Sequence, residues 1–305
     1  AARWHDLEME LLVLTLVNGL GYGLLLFMLS AGLTLIFSLM GVLNFAHGSF
    51  YMLGAYLAHT LAGAWGFWPA LALAPLLVGA LAALFQRQVL RRVQARGHVP
   101  ELLVTFGLSY VLLELVQLVW GRGPVDYRVP EALAGSLVAL WGMHLPVYRV
   151  FTMGVALLVL AGLALWLRLS RGGLILQAAL THPRMAQALG HDVPSVFMGV
   201  FAGGAALAAL AGVLGGNAYV TEPGMAATVG SIVFVVAVVG GLGSLWGAFW
   251  ASLLIGLLQT AAVSLPAPPL PGGLRLSQFA PLLPYALLVA VLVLRPQGLM
   301  GRREA

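Results

Sequence analysis

The chain contains neither cysteine nor lysine. Without cysteine it forms no disulfide, presents no thiolate nucleophile and offers no sulfur to a metal, although this absence does not identify a redox compartment. Without lysine it has no Walker A loop, whose Gly-Lys-Ser/Thr holds nucleotide phosphates, and no Schiff-base amine. Charge of either sign is scarce: 8% of residues are Asp, Glu, Lys or Arg, against about 25% in a soluble domain. The remainder is strongly apolar, 61% hydrophobic with a mean hydropathy of +0.99. In 305 residues that composition leaves room for many membrane spans but no large soluble domain as well. The net charge of +5 rests on 15 basic residues, every one arginine. Their clustering in a few connections fits the positive-inside rule rather than a nucleic-acid surface. The first ten residues carry Asp6, Glu8 and Glu10 and lack a basic region followed by a cleavage site, so no cleavable signal peptide is expected.

Apolar segments of spanning length lie near 11–30, 32–62, 66–86, 101–120, 149–168, 195–219, 226–243, 245–264 and 279–294. They are continuous rather than alternating, which predicts helices and not barrel strands. The expected fold is all-α: one polytopic helical bundle over residues 1–305, with about 8–10 transmembrane helices, some broken, and a short cytoplasmic helix. Glycines four apart (Gly19 and Gly23, Gly212 and Gly216, Gly243 and Gly247) predict close helix packing. The 32–62 segment is interrupted by Asn44-Phe45-Ala46-His47-Gly48. Asn and His are costly in lipid, so the break either sits at a membrane surface or lines a path through the protein.

Arginine placement sets orientation. Arg87, Arg91, Arg92 and Arg96 mark one connection, Arg168, Arg171 and Arg184 a second, and Arg295, Arg302 and Arg303 the C-terminal end. These three are expected in the cytoplasm. The 121–148 connection, where Arg122 and Arg128 are offset by Asp126 and Glu131, and the Pro-rich 265–277 turn are expected outside. The N-terminus lies outside if 32–62 is one broken span and inside if it is two.

Several polar residues fall within spans. Glu114 lies in the 101–120 segment with Gln117 three residues on, and an intramembrane carboxylate is either a structural hydrogen-bonding group or a transport site. Asn18, Asn217 and Gln259 are single polar groups suited to bonding between helices. Glu222-Pro223-Gly224 breaks the chain after the long 195–219 segment and forms either an exposed turn or part of an outer mouth. Asn18, Asn44, His47, Glu114, Gln117 and Glu222 are therefore the candidate pathway residues. The histidines are scattered and HExxH is absent, so neither a metal site nor a cofactor is expected.

In the 171–194 connection, Thr181 or His182 can open a short helix with Pro183 in its first turn. Gly190 is placed to close it. Met185, Ala188 and Leu189 then share a face. This element is an interfacial helix or a knob that docks a cytoplasmic partner.

These motifs resemble a known family. The run from Gly32 through Asn44-Phe45-Ala46-His47-Gly48 to Tyr56 is similar to the signature of inner-membrane permeases of branched-chain amino acid ABC importers, and within them to the H type. Gly240-Gly-Leu-Gly-Ser-Leu-Trp-Gly-Ala248 and Arg295-Pro-Gln-Gly-Leu-Met-Gly301 resemble its later motifs, and 178–190 its coupling segment. Two positions depart from the pattern: Arg184 and Met185 stand where an acidic residue is common, and Ser231 and Ile232 where a lysine is common. The resemblance implies a multi-pass protein of a bacterial inner membrane with a cytoplasmic C-terminus and no ATPase site of its own. It implies a second permease, a paralogue, as partner, two cytoplasmic ATPase subunits docking through Thr181, Arg184, Met185, Ala188, Leu189 and Gly190, and an external substrate-binding protein. Surrounding lipid completes the set, and no nucleic acid is implied. The cargo would be branched-chain amino acids or related amides and urea, moved by alternating access. The competing reading is a stand-alone secondary transporter or channel with Glu114 as its ion or proton site.

Overall fold

The computed structural model describes residues 2–41, 43–94, 96–138, 144–264 and 275–301. Arg302, Arg303 and most of the Pro-rich 265–277 turn lie outside the described residues. The described residues are helical almost throughout. The helices are α1 (Ala2–Met40), α2 (His47–Trp65), α3 (Phe67–Phe85), α4 (Arg91–Gln94), α5 (His98–Trp120) and α6 (Val147–Leu169). They continue as α7 (Arg171–Thr181), α8 (Pro183–Ala188), α9 (Val193–Ala218), α10 (Met225–Gly240), α11 (Leu245–Ser264), α12 (Leu276–Phe279) and α13 (Leu283–Leu294). A π turn, Gln86–Leu90, joins α3 to α4. Two short strands, β1 (Ser136–Val138) and β2 (His144–Pro146), pair antiparallel with Leu137 opposite Leu145.

Seven helical stretches among the described residues are long and apolar enough to cross a membrane: Leu11–Ser38, Phe67–Gln94, His98–Trp120, Val147–Leu169, Val193–Ala218, Leu245–Ser264 and Leu276–Leu294. The 19-residue α2 and the 16-residue α10 occupy the remaining expected positions. The α2 helix is the more polar, carrying His47, Ser49, His59 and Thr60. Much of its surface is buried by protein, which is the condition under which polar side chains persist at membrane depth.

Three local expectations are revised. The boundary between the first two apolar segments falls at 41–46 and not at residue 31. Gly32 stays helical because it is packed against backbone: a Cβ there would lie 2.4 Å from the Gly204 carbonyl oxygen. Gly243 is not a helix-packing residue but a turn residue with φ +83° between α10 and α11. The 171–181 stretch is also helical; Ser170 caps α7 by accepting the Gly173 N–H at 2.9 Å.

The chain divides into two compact units. One comprises residues 28–128 and 158–233 and is organised around α9. There the carbonyl oxygens of neighbouring helices approach where glycine leaves room. A Cβ on Gly54 of α2 would lie 2.4 Å from the Ala209 oxygen, and one on Gly212 of α9 2.0 Å from the Tyr51 oxygen. The Phe50 and Phe201 rings meet edge to face at 6.0 Å beside this contact. Lipid removes the hydrophobic drive for helix association, so close van der Waals approach of this kind holds the helices together.

The other unit comprises residues 1–27, 129–157 and 234–305. In it the first half of α1 packs on α11 through Gly19, Gly23 and Gly256, and Phe27 meets Phe249 at 5.4 Å. The two later sequence motifs come together here. The Leu299 N–H donates to the Val239 carbonyl at 2.8 Å and the Met300 N–H to that of Gly240 at 3.0 Å. Gly241 (φ +98°) and Gly298 (φ +77°) face each other so closely that a Cβ on Gly298 would lie 2.5 Å from the Gly241 nitrogen. The segment after α13 is thus clasped to the end of α10 through backbone hydrogen bonds.

Candidate functional site

The pentapeptide Asn44–Gly48 is a joint at which four helices meet, and each residue has its own job. The Asn44 side chain folds back so that its Oδ1 accepts the Ala46 N–H at 3.1 Å, a turn in which asparagine substitutes for backbone. Phe45 points outward, and its ring meets Phe106 of α5 at 6.0 Å. Ala46, fully buried, is the N-cap of α2. The His47 ring donates from Nε2 to the Leu29 carbonyl of α1 at 2.8 Å. In a neutral ring that bond leaves Nδ1 as an acceptor. Gly48 lets α2 approach the start of α10, where a Cβ would lie 2.3 Å from the Ala226 oxygen. In the first turn of α2, Ser49 donates to the Ser109 carbonyl of α5 at 3.3 Å. Asn44 and His47 are 5% and 2% exposed, and Asn44 Nδ2 and His47 Nδ1 are buried without a hydrogen-bond partner among the described residues.

The other candidate pathway residues lie apart. Glu114 is exposed on α5 and Gln117 half-buried three residues on. Asn18 is half-buried on α1, and its Oδ1 accepts a hydrogen bond from the Arg149 guanidinium of α6. The sequence reading did not single out Arg149. The available signal was an arginine in the first turn of an apolar run, where a cation needs a partner. Glu222 is exposed in the turn after α9. Beside it the chain pairs Val125 with Thr221 as an isolated antiparallel bridge, so the ends of α5 and α9 lie together.

That end carries an aromatic cluster that the sequence reading also missed. Trp120 Nε1 donates to the Thr60 hydroxyl at 2.8 Å, and Thr60 in turn donates to the Tyr56 carbonyl at 3.1 Å. The Tyr56 and Trp120 rings lie 5.4 Å apart, and His59 meets Tyr127 edge to face at 6.1 Å. Tyr and Trp at a span end were the readable signal, since amphipathic rings concentrate at membrane interfaces.

The coupling segment is built as a supported knob. His182 is the N-cap of α8 and Pro183 occupies its first turn. Ala186 is 2% exposed and packs with Ala179 of α7 and Val193 of α9, with Phe197 against them. Thr181, Arg184, Met185, Ala188, Leu189 and Gly190 are exposed, with Met185 63% and Leu189 74% so. Gly190, at φ +88°, closes the helix. Its N–H donates to the Gln187 carbonyl at 2.9 Å while the His191 N–H reaches back to that of Ala186 at 3.1 Å, the paired bonds of a Schellman cap. Asp192 then caps α9, accepting from the Ser195 N–H at 3.3 Å and from its hydroxyl. Those two bonds, with Arg91 nearby, hold its carboxyl below the usual range. Among the described residues no group of three or more His, Asp or Glu is placed to hold a metal ion.

Comparison with known proteins agrees with this layout. A family model described as branched-chain amino acid transport system / permease component matches residues 15–293. The chain is 30% identical over 304 residues to the high-affinity branched-chain amino acid transport system permease protein BraD of Pseudomonas aeruginosa, covering 95% of each. It is 28% identical to the corresponding permease protein LivH of Escherichia coli, covering 94% of each. A probable branched-chain amino acid transport permease protein LivH of Methanocaldococcus jannaschii is 30% identical over 92% of this chain and 90% of its own. With the family model spanning nearly all of the helical core, the chain belongs to the branched-chain amino acid transport permease family.

Proposed function

We propose that this chain is the membrane-spanning subunit through which an ABC importer moves branched-chain amino acids, or related small amides or urea, into a bacterial cytoplasm. A second permease forms the other half of the path, an external binding protein delivers the substrate, and two ATPase subunits drive alternating access from the cytoplasmic side. The observation that carries this reading is α8. A helix of six residues is too short to be stable alone. This one is anchored from beneath by Ala186, yet it presents Met185, Ala188 and Leu189 outward. Such a knob transmits a partner's movement as a rigid body.

The chain's own pairings support the orientation. The ends of α5 and α9 meet through Val125 and Thr221, and Gln94 of α4 donates to Glu101 of α5 at 3.1 Å. The end of α10 meets the segment after α13. We infer a cytoplasmic side for the C-terminal clasp from the arginine count, with Arg295 beside it. Three helices, α1 to α3, precede the Arg87–Arg96 connection, so we infer that α1 begins outside if all three cross. A stand-alone carrier built on Glu114 gains no comparable support, since that side chain is exposed on α5 while Asn44 and His47 are buried.

The test replaces Gly190 by valine in the reconstituted complex with the second permease, both ATPase subunits and the binding protein. A β-branched residue at φ +88° is strained by about 1–2 kcal/mol or more, so the last turn of α8 unwinds. Uptake is expected to fall while the ATPase subunits still hydrolyse ATP. Unchanged coupled uptake would falsify the docking role of α8, and uptake by the chain alone in liposomes would replace this reading with that of an independent carrier.

A further inference from the structure

Beyond the apolar length of α3 the helix changes its winding. The π turn Gln86–Leu90 separates Phe67–Phe85 from Arg91–Gln94, and such turns occur frequently at functional positions. It stands beside the N-terminus of α9, and a cavity of about 310 Å3 is lined by Gln86, Arg87, Arg91, Asp192, Ser195 and Met198, together with Pro194. Gln86 is 2% exposed. Charge in the cavity is unbalanced. The Asp192 carboxylate already accepts two hydrogen bonds from Ser195. Among the described residues the only ion pair joins Arg128 to Asp126, so neither Arg87 nor Arg91 has a carboxylate within ion-pair distance. Two guanidinium groups and the positive end of a 26-residue helix face one committed anion.

Depth selects the anion. The 19 residues Phe67–Phe85 rise about 28 Å, close to the roughly 30 Å of a hydrocarbon core. Arg87 and Arg91 therefore stand at the level of lipid headgroups. Leading to them, the exposed Leu77, Leu81 and Leu84 recur at steps of four and three, one stripe of a helix. The wider π turn then shifts the phase, so Arg87 and Arg91 leave this stripe and line the cavity beside α9.

We propose that this cavity binds the phosphate of an anionic phospholipid, with an acyl chain lying along Leu77, Leu81 and Leu84. Planar guanidinium forks match phosphate oxygens in pairs, and the buried Gln86 amide adds a neutral donor. A docked acidic protein segment would meet the same charges but has no use for the apolar stripe below them.

The test is native mass spectrometry of the purified full chain in detergent with equimolar phosphatidylglycerol and phosphatidylcholine. Preferential retention of phosphatidylglycerol is expected. Arg87→Gln or Arg91→Gln alone should lower that preference about fivefold, and both together about 30-fold. Met198→Trp, which fills the cavity and keeps its charges, should lower it as well, and carries the test if the double variant does not fold. Arg122→Gln, exposed on the opposite connection, should leave it unchanged. Full retention in both the double variant and Met198→Trp overturns the proposal, as does an equal loss in Arg122→Gln. Displacement of the lipid by equimolar inorganic phosphate would show a free-anion site instead. A double variant that keeps its lipid but no longer binds the ATPase subunits would make the cavity a protein contact.

Discussion

Gly212→Ala tests whether backbone approach or helix propensity governs the α2–α9 contact. Alanine is the better helix former by about 1 kcal/mol, so propensity alone predicts a more stable protein. The structure predicts the opposite sign. A Cβ at residue 212 would lie 2.0 Å from the Tyr51 oxygen, 2.9 Å from the Tyr51 carbonyl carbon and 3.1 Å from the Ala55 nitrogen. A carbon–oxygen contact relaxes at about 3.3 Å, so α2 and α9 must part by roughly 1.3 Å along this line. Gaps of only about 0.5–1 Å already forfeit a quarter to a half of each neighbouring dispersion contact, and overpacking typically costs about 1–3 kcal/mol. Set against the propensity gain, the net expectation is a loss of about 0–2 kcal/mol, read as a fall of up to about 4 °C in the thermal midpoint in detergent. Gly107→Ala is the control, because nothing lies within 4 Å of a Cβ there and only propensity changes. If Gly212→Ala proves as stable as Gly107→Ala, the close-packing account of this unit is refuted.

Gly298→Ala and Gly241→Ala should each loosen the C-terminal clasp, since both glycines have positive φ and a Cβ would meet backbone within 2.5 Å. Faster hydrogen exchange at the Leu299 and Met300 amides checks this, and unchanged protection would show that the segment is held by other means. His47→Leu removes one buried hydrogen bond to Leu29, so the midpoint should drop by an amount equivalent to about 1 kcal/mol while uptake by the folded complex persists. Lost uptake at unchanged stability would instead place His47 on the substrate path. Asn18→Leu deprives Arg149 of its acceptor and should cost about 1.5–3 kcal/mol. In a double-mutant cycle with Arg149→Leu the two changes should couple, and simple additivity would show that the contact contributes nothing.

The sequence by itself determined that this is an all-α, multi-pass membrane protein. Continuous apolar runs have a defined length and admit few alternatives once backbone groups must be satisfied without water. It also located Pro183 and Gly190 around α8, because those residues have strong local backbone preferences. What it left open concerned partners distant in the chain. The Asn44–Gly48 break reads from sequence as either a surface turn or a path lining. Only the tertiary structure places His47 against Leu29, Phe45 against Phe106 and Gly48 against Ala226, making it a joint among four helices. In the same way, two glycine-rich motifs more than fifty residues apart form one backbone clasp, and Asn18 finds Arg149 at a separation of 131 residues. Local propensity encodes where a helix starts and stops. It carries no information on which carbonyl a distant histidine will meet, because that choice is made by helix packing.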